Sequence, residues 1–338
     1  MEKKMASVQR FALLGSGFIG QVHAANLAAH PGISFDLVCD LDPTRAAQVA
    51  QQFGAQAGSV EQALRSDAID AVLIATATPT HADLLEQAVR AGKAVYCEKP
   101  IDLSLARARD VVKRISPLSV PVTVGFNRRF DHSHQQLKAR FKAGVIGQAE
   151  LIQMVCRASE LPPLSYLQSS GGQMRDQAIH FFDLLRWLTE DEVETVGAMG
   201  AALAMPEIKA FDVDTSVLIM RLRQGALAQL DNTRRTAYGY DERISIMGSE
   251  GMLASDSQAV RGATLWQGQN ITQPGLYADW FSRVRETYYT HLDAFVRHIN
   301  GEEVQGLPGL IDGLRAQAIA EAAQLSLTRG EFVHVEQI

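Results

Sequence analysis

Residues 8–20 read VQRFALLGSGFIG, and this junction decides the fold. Val8 to Leu14 is an apolar, strand-like run. It breaks at Gly15-Ser16-Gly17-Phe18-Ile19-Gly20, and a helical pattern begins at once, from about Ile19 to Ala29. A glycine-rich turn between a strand and a helix suits a dinucleotide pyrophosphate. Gly15 permits the tight turn, Gly17 lets the backbone approach the phosphates, Gly20 lets helix and strand pack closely, and the helix N-terminus attracts the negative charge. A second strand, Phe35 to Cys39, ends at Asp40, 20 positions beyond Gly20. A carboxylate there is placed to bind the adenosine ribose hydroxyls. It also repels a 2′-phosphate, so the sequence predicts NAD in preference to NADP, with Arg45 as the one nearby group able to contact a phosphate.

The alternation continues with a helix from Thr44 to Phe53, a strand at Ala71 to Thr76, a helix from His81 to Ala91, a strand at Ala94 to Cys97, a helix from Ser104 to Ile115 and a strand at Val122 to Phe126. Strands and helices in this order predict a parallel, doubly wound sheet with right-handed crossovers. Ligands of such sheets bind beyond the carboxyl ends of the strands. The predicted cofactor contacts are therefore Gly15, Gly17, Phe18, Ile19, Gly20 and Asp40, then Thr76, Thr78, Pro79 and His81 of the loop opening the next helix, then Glu98 and Lys99 after the strand ending at Cys97. Lys99, beside the expected nicotinamide, is a candidate for lowering an alcohol's pKa. The alternative is a strand-end lysine paired with Glu98.

After Phe126 the pattern changes. Asn127-Arg128-Arg129-Phe130-Asp131 leads into a helix to about Ala143, and strand patterns follow at Ala149 to Cys156, Val193 to Leu203, Thr215 to Leu222, Ala226 to Asn232, Arg243 to Met247 and Ala263 to Trp266. Strands in runs predict a mainly antiparallel sheet. A helix over Met174 to Leu188 should cover one of its faces, and long helices at Tyr277 to His298 and Pro308 to Thr328 close the chain. The expected organisation is a Rossmann domain over 1–126 and an α+β substrate-binding and oligomerisation domain over 127–338. The uncovered face of the sheet makes a homo-oligomer, dimer or tetramer, the expectation.

Within the covering helix, residues 174–183 read MRDQAIHFFD. At about 100° per residue, Asp176, His180, Asp183 and Trp187 fall on one stripe of an otherwise greasy helix. Surface helices carry Lys and Glu on their polar face. This stripe instead reads either as an enclosed polar site or as a buried network holding two helices together.

Composition narrows the function. A net charge of -6 argues against nucleic acid as the main partner, which needs a basic surface. No run of about 18 apolar residues predicts a membrane span. The start, MEKKMASVQR, lacks the apolar core of a signal peptide, so cytoplasm is the expected location. Cys39, Cys97 and Cys156 are far apart, and His132 and His134 have no Cys or carboxylate at ligand spacing. Neither a disulfide framework nor a metal site is expected.

The residues resemble the glucose–fructose oxidoreductase and inositol dehydrogenase family (Gfo/Idh/MocA) over nearly the whole chain. The marks are GSGFIG at 15–20, ATPTH at 77–81, CEKP at 97–100, GFNRRFD at 125–131, SGGQMRDQAIHFFD at 170–183 and YGYDERISIMGSEG at 238–251. The last two are most similar to the inositol 2-dehydrogenase branch. The resemblance implies that Lys99 contacts the reacting hydroxyl, that His180 is the general base, that Asp176 binds substrate and orients His180, and that the Lys99–Pro100 bond is often cis. Arg128 and Tyr240, or Tyr238 in its place, match positions near the polyol. The chain departs from the branch at Ala158, where Asp is usual after Arg157, and at Phe181, where an acid commonly follows the histidine.

The chemistry agrees with that reading. A hydride can leave a secondary carbinol carbon only if a base takes the hydroxyl proton, and a histidine suits that work near neutral pH. A lysine cation stabilises the developing alkoxide. The expectation is an NAD-dependent dehydrogenase of a cyclic polyol, myo-inositol first. Its alternatives are a dehydrogenase of a sugar or sugar derivative and a non-catalytic NAD-binding regulator.

Overall fold

The computed structural model describes residues 7–255, 258–260 and 262–338. The first six residues, part of the stretch read as lacking a signal peptide, lie outside them. The chain divides into two compact units. One comprises the described residues up to Asn127 with Thr287–Leu314, and the other Arg128–Glu286 with Arg315–Ile338.

In the first unit, β1 (Gln9–Leu14) ends in four residues with no solvent exposure, as a parallel strand covered on both faces requires. It is followed by α1 (Phe18–Ala29), β2 (Ile33–Cys39), α2 (Pro43–Phe53), β3 (Gln56–Gly58), α3 (Val60–Arg65), β4 (Ala71–Ile74), α4 (His81–Arg90), β5 (Ala94–Cys97), α5 (Leu105–Ile115) and β6 (Val122–Val124). The six strands are parallel in the order β3-β2-β1-β4-β5-β6, the doubly wound topology that the alternation predicts. Two elements were not expected. β3 is a three-residue edge strand and α3 spans six residues, too short for either to show a period.

The second unit opens with α6 (His132–Lys142) and continues through β7 (Ala149–Arg157), α7 (Leu164–Ser169), α8 (Ile179–Thr189), β8 (Val193–Ala201), β9 (Thr215–Leu222), β10 (Leu227–Thr233), β11 (Asp241–Gly248), β12 (Gly251–Ser255) and the small hairpin β13 (Leu265–Gln267) and β14 (Asn270–Thr272). The chain then runs through α9 (Trp280–Ile299) and α10 (Leu310–Arg329) to β15 (Val333–His334). The large sheet has the order β12-β11-β7-β10-β9-β8-β15. Its pairings are antiparallel except β7 with β10, which is parallel. Strands in runs concealed this pairing, because the sequence cannot show that β10 returns beside β7 rather than beside β11.

Side chains of β9 alternate strictly between buried and exposed, so one face of this sheet is covered and the other open. The C-terminal part of α9 belongs to the first unit. Leu292, Phe295 and Val296 join the core formed by Phe11, Leu13, Leu73 and Tyr96, with the rings of Phe11 and Phe295 edge to face.

The helix expected over Met174 to Leu188 is not uniform. Residues Met174–Ala178 form a π-helical turn that passes into α8 at Ile179. Such wide turns occur often at functional sites. This one carries Asp176 and delivers His180 as the second residue of α8.

Candidate active site

The register of the parallel sheet assembles the cofactor side. Leu14 pairs with Cys39 and with Ile74, and Ile74 pairs with Cys97, so these four strand ends form one row. Each following residue is hydrogen-bonded to its neighbour strand: Gly15 N–H to Cys39 O at 2.8 Å, Ala75 N–H to Leu14 O at 2.8 Å and Glu98 N–H to Ile74 O at 2.9 Å. Asp40, Gly15 and the Ala75-Thr76 and Glu98-Lys99 turns thus leave the sheet side by side, at its carboxyl edge.

The glycine turn fits a pyrophosphate by its geometry. Gly15 has φ of +92° and a Cβ there would meet Ala75 O at 2.6 Å, while a Cβ on Gly20 would meet Gly15 O at 2.1 Å. Both must be glycine. At Gly17 a Cβ would meet nothing within 4 Å, and Gly17 caps α1 without a side-chain hydrogen bond. The loop therefore presents an open backbone cradle at the start of a helix. Phe18 is largely exposed beside it.

Asp40 is fixed by several donors. Ser16 gives it an N–H and an O–H, both at 2.7 Å, Asp42 N–H donates at 2.9 Å, and the Arg45 guanidinium donates at 2.6 and 3.2 Å. Burial alone would raise its pKa, but these donors, Arg45 foremost, outweigh it and hold the carboxyl below the usual range. Asp40 is an ionised acceptor at the carboxyl edge of the sheet.

Glu98 does not act as the strand-end partner of Lys99. Its carboxylate is buried and receives His23 Nε2 at 2.8 Å, while the Lys99 backbone N–H donates to it at 3.2 Å. Burial pushes its pKa up, but the His23 hydrogen bond and the nearby Lys99 and His81 bring it down overall. The Lys99–Pro100 peptide is cis. His81 is buried between two carbonyls, with Nδ1 at 2.8 Å from Pro100 O and Nε2 at 3.0 Å from Thr76 O, so it ties the lysine turn to the Thr76–Thr80 loop. Thr80 O–H donates to Thr76 Oγ1 at 2.7 Å within that loop, and Thr78 and Pro79 form its one-turn 3-10 helix.

In the second unit the Asp/His/Asp stripe separates into two halves. Asp183 is fully buried and holds Arg129 through two hydrogen bonds of 2.7 and 2.5 Å, with the Arg129 guanidinium 6.0 Å from the Trp187 ring. That half is the buried network. Asp176 is held differently. Tyr166 O–H donates to its Oδ1 at 2.7 Å and Arg234 Nη1 to its Oδ2 at 2.9 Å, yet its side chain keeps 13% exposure. Asp176 is thus anchored at both oxygens without being closed off from solvent. Phe181 is 1% exposed in the core, so the departure at 181 does not face this stripe.

Arg128 and Tyr240 converge on one buried carboxylate. Arg128 Nε lies 3.1 Å and Tyr240 O–H 2.6 Å from Glu242 Oε2, and His134 Nε2 is 3.6 Å from Oε1. Burial raises the Tyr240 pKa well above its ordinary value. Tyr238 is half exposed, and it receives Arg157 Nη1 at 2.9 Å and donates to Asp241 at 3.1 Å. Arg157 also pairs with Asp231 at 2.6 Å.

Burial pushes the thiols of Cys39 and Cys156 up to about 12 and that of Cys97 higher still, so all three are inert. Among the described residues no group of three or more His, Cys, Asp or Glu could hold a metal ion, and no helix is long and apolar enough to cross a membrane.

Sequence reasoning missed Arg234, Tyr166 and His23. Arg234 and His23 meet their partners across the fold and Tyr166 from outside the motif, and only an arginine just past the Ala226–Asn232 strand pattern hinted at one of them.

Residues 9–126 match the model of an oxidoreductase family with an NAD-binding Rossmann fold, and residues 134–254 match the GFO/IDH/MocA C-terminal domain. The chain is 38% identical over 328 residues to an inositol 2-dehydrogenase of Rhizobium meliloti, covering 96% of this chain and 99% of that one. A solved myo-inositol dehydrogenase from Corynebacterium glutamicum superposes with a TM-score of 0.91 at 32% identity, over 98% of this chain and 100% of the other. A scyllo-inositol dehydrogenase from Lactobacillus casei, solved with NAD(H) and scyllo-inositol bound, gives 0.87 at 26% identity over 97% and 99% of the two chains. With both of its halves matched and relatives aligned from end to end, the chain belongs to the GFO/IDH/MocA family of NAD-binding oxidoreductases.

Proposed function

We propose that this chain oxidises a secondary hydroxyl of a cyclic polyol to the ketone with NAD, acting as an inositol 2-dehydrogenase with myo-inositol as the first substrate. The observation that carries the reading is the Asp176 carboxylate, fixed by Tyr166 and Arg234 yet partly open, one turn before His180. The relatives named inositol dehydrogenases along the full length supply the substrate class.

Bound NAD supplies the hydride acceptor for the carbinol carbon. Gly15, Gly17, Phe18, Ile19 and Gly20 bind its pyrophosphate, Asp40 reads its ribose hydroxyls, and Thr76, Thr78, Pro79 and His81 shape the loop beside it. His180 takes the hydroxyl proton as general base. The Lys99 ammonium stabilises the negative charge growing on that oxygen. Asp176 accepts hydrogen bonds from the substrate and keeps His180 in orientation. Arg128 and Tyr240, gathered by Glu242, support the polyol side of the pocket.

We further propose a cytoplasmic homo-oligomer assembled through the open face of the large sheet. Its support is an apolar row, in which Met252 pairs with Met247, Met247 with Leu151 and Leu151 with Leu227, and, set off from it, the exposed Val217 and Ile219.

A pyranose or sugar derivative is the second reading. Ala158 favours it, because its side chain offers no acceptor for a hydroxyl beside Arg157.

The test is NADH formation by the purified protein with NAD and a panel of inositols and aldoses. Reduction with myo-inositol is expected. Turnover confined to sugars selects the second reading, and a protein that binds NAD but oxidises nothing in the panel overturns both and leaves a regulator.

A further inference from the structure

Arg234 lies outside the sequence motifs, yet its guanidinium is hydrogen-bonded to Asp176. It follows β10 directly. Its backbone is pinned there by its own N–H on Asp214 O at 2.8 Å and by Gln177 Nε2 on the preceding Thr233 O at 3.0 Å. The side chain is 3% exposed and its Nε and Nη2 are buried without hydrogen-bond partners. The second carboxylate nearby, Asp212, stands 3.8 Å from Nη2, too far for a hydrogen bond. A buried arginine kept for packing alone would have its donors satisfied by the fold. This one has a single well-formed hydrogen bond, and it goes to the carboxylate that faces the reaction.

We infer that Arg234 is a positioning residue, acting with Tyr166 to hold the two oxygens of Asp176 in the orientation that the substrate meets. Being buried, Arg234 does not reach substrate itself. It acts through Asp176: Nη1 fixes Oδ2, the Tyr166 hydroxyl fixes Oδ1, and the remaining lone pairs of a carboxylate held at both oxygens point where the fold sets them. This deepens the dehydrogenase reading and rests on it. The wide π turn that carries Asp176 has its own reason here, since a carboxylate anchored from β10 and α7 must leave the stripe of α8 to reach both donors.

The experiment is a double-mutant cycle in kcat/KM for polyol oxidation, with Arg234→Met, Arg234→Lys and Tyr166→Phe each made in the native chain and in Asp176→Asn, and with NAD binding and thermal melting followed in parallel. Arg234→Met is expected to lower kcat/KM at least about 30-fold alone but by no more than about 3-fold on top of Asp176→Asn, because groups that act as one unit are not additive. Arg234→Lys should recover part of the loss while NAD binding is unchanged. Equal losses in both backgrounds, or no recovery with lysine, overturn the inference and make Arg234 structural. If Arg234→Met does not fold, the Arg234→Lys and Tyr166→Phe cycles decide on the same criterion. A native protein that oxidises no polyol or sugar brings down the proposed function and this inference together, whereas an active native enzyme with additive losses brings down the inference alone.

Discussion

Arg129 grips Asp183 with two charge-assisted hydrogen bonds of 2.7 and 2.5 Å, both side chains at or below 5% exposure, and its guanidinium lies 6.0 Å from the ring of Trp187. This pair accounts for the lower half of the polar stripe on α8 and separates its stability from the chemistry proposed one turn earlier. Removing one partner of a buried pair leaves an uncompensated charge, which costs about 3–5 kcal/mol. Asp183→Ala should therefore lower the urea or thermal midpoint sharply while the folded fraction keeps far more of its turnover than His180→Ala does. A variant of native stability would remove Asp183 from the core network.

In the proposed function, cofactor choice rests on Asp40. Its carboxylate takes Ser16 on one side and Arg45 on the other, so the residue that repels a 2′-phosphate also neutralises the residue that would welcome one. Asp40→Ala removes the repulsion and releases Arg45 together. The ratio of kcat/KM with NAD to that with NADP should fall at least about 10-fold, the scale of one charge-assisted contact. An unchanged ratio would mean that Asp40 does not read the ribose.

Lys99 and His180 are expected to carry the proton chemistry, a contribution of about 100-fold or more each. Lys99→Ala and His180→Ala should each lower kcat by at least that factor, with NAD affinity, measured by fluorescence titration, little changed. Near-native turnover in either variant removes that residue from the mechanism.

The parts of the fold and site that were legible in the sequence are those fixed by local physics. The strand–GSGFIG–helix junction, the placement of Asp40 and the turn at Glu98-Lys99-Pro100 each follow from neighbouring residues, because strand ends and helix starts must carry those types. Parallel burial made Phe11–Leu14 of β1 and the whole of β4 plain as unbroken apolar runs. What could not be read depends on contacts between distant residues. Arg234 meets Asp176 across 58 positions and His23 meets Glu98 across 75, and no spacing encodes such a meeting. The π turn was hidden for a related reason. A period of 100° assigned Asp176, His180 and Asp183 to one stripe, whereas the wider turn gives Asp176 to Tyr166 and Arg234 and leaves Asp183 to Arg129.

His81 makes a prediction about pH. Its ring is buried between the carbonyls of Thr76 and Pro100, and burial lowers its pKa below the ordinary value of 6.5 despite those acceptors. The unfolded chain then binds a proton that the folded one refuses, so stability is full above about pH 6.5 and is lost as the pH falls below it. The carboxyls of Asp40 and Glu98, whose pKa values are also lowered, add their loss further into acid. Melting temperatures between about pH 7 and about pH 5 should fall for the native chain and change less for His81→Asn. Parallel curves would show that His81 does not titrate in that window.

The open face of the large sheet makes the last prediction. On β9, Val217 and Ile219 are 53% and 50% exposed while Leu218 and Met220 beneath them are buried. Val217 pairs with Met199, which is 81% exposed. Met199, Val217 and Ile219 form an outward apolar patch, set off from the Met252-to-Leu227 row by Arg221, Gln229 and Asp231, and exposed apolar patches mark contact surfaces. If the face binds a second copy of the chain, as proposed, the native protein should have a mass that is a multiple of 36.9 kDa in analytical ultracentrifugation. A glutamate at Ile219 would then place a desolvated charge at the contact and shift the distribution toward smaller species. Circular dichroism should stay that of the native fold, because position 219 points away from the covered core. A native protein that sediments as a monomer, or an Ile219→Glu variant with unchanged mass, would show that the patch is not where copies of this chain meet.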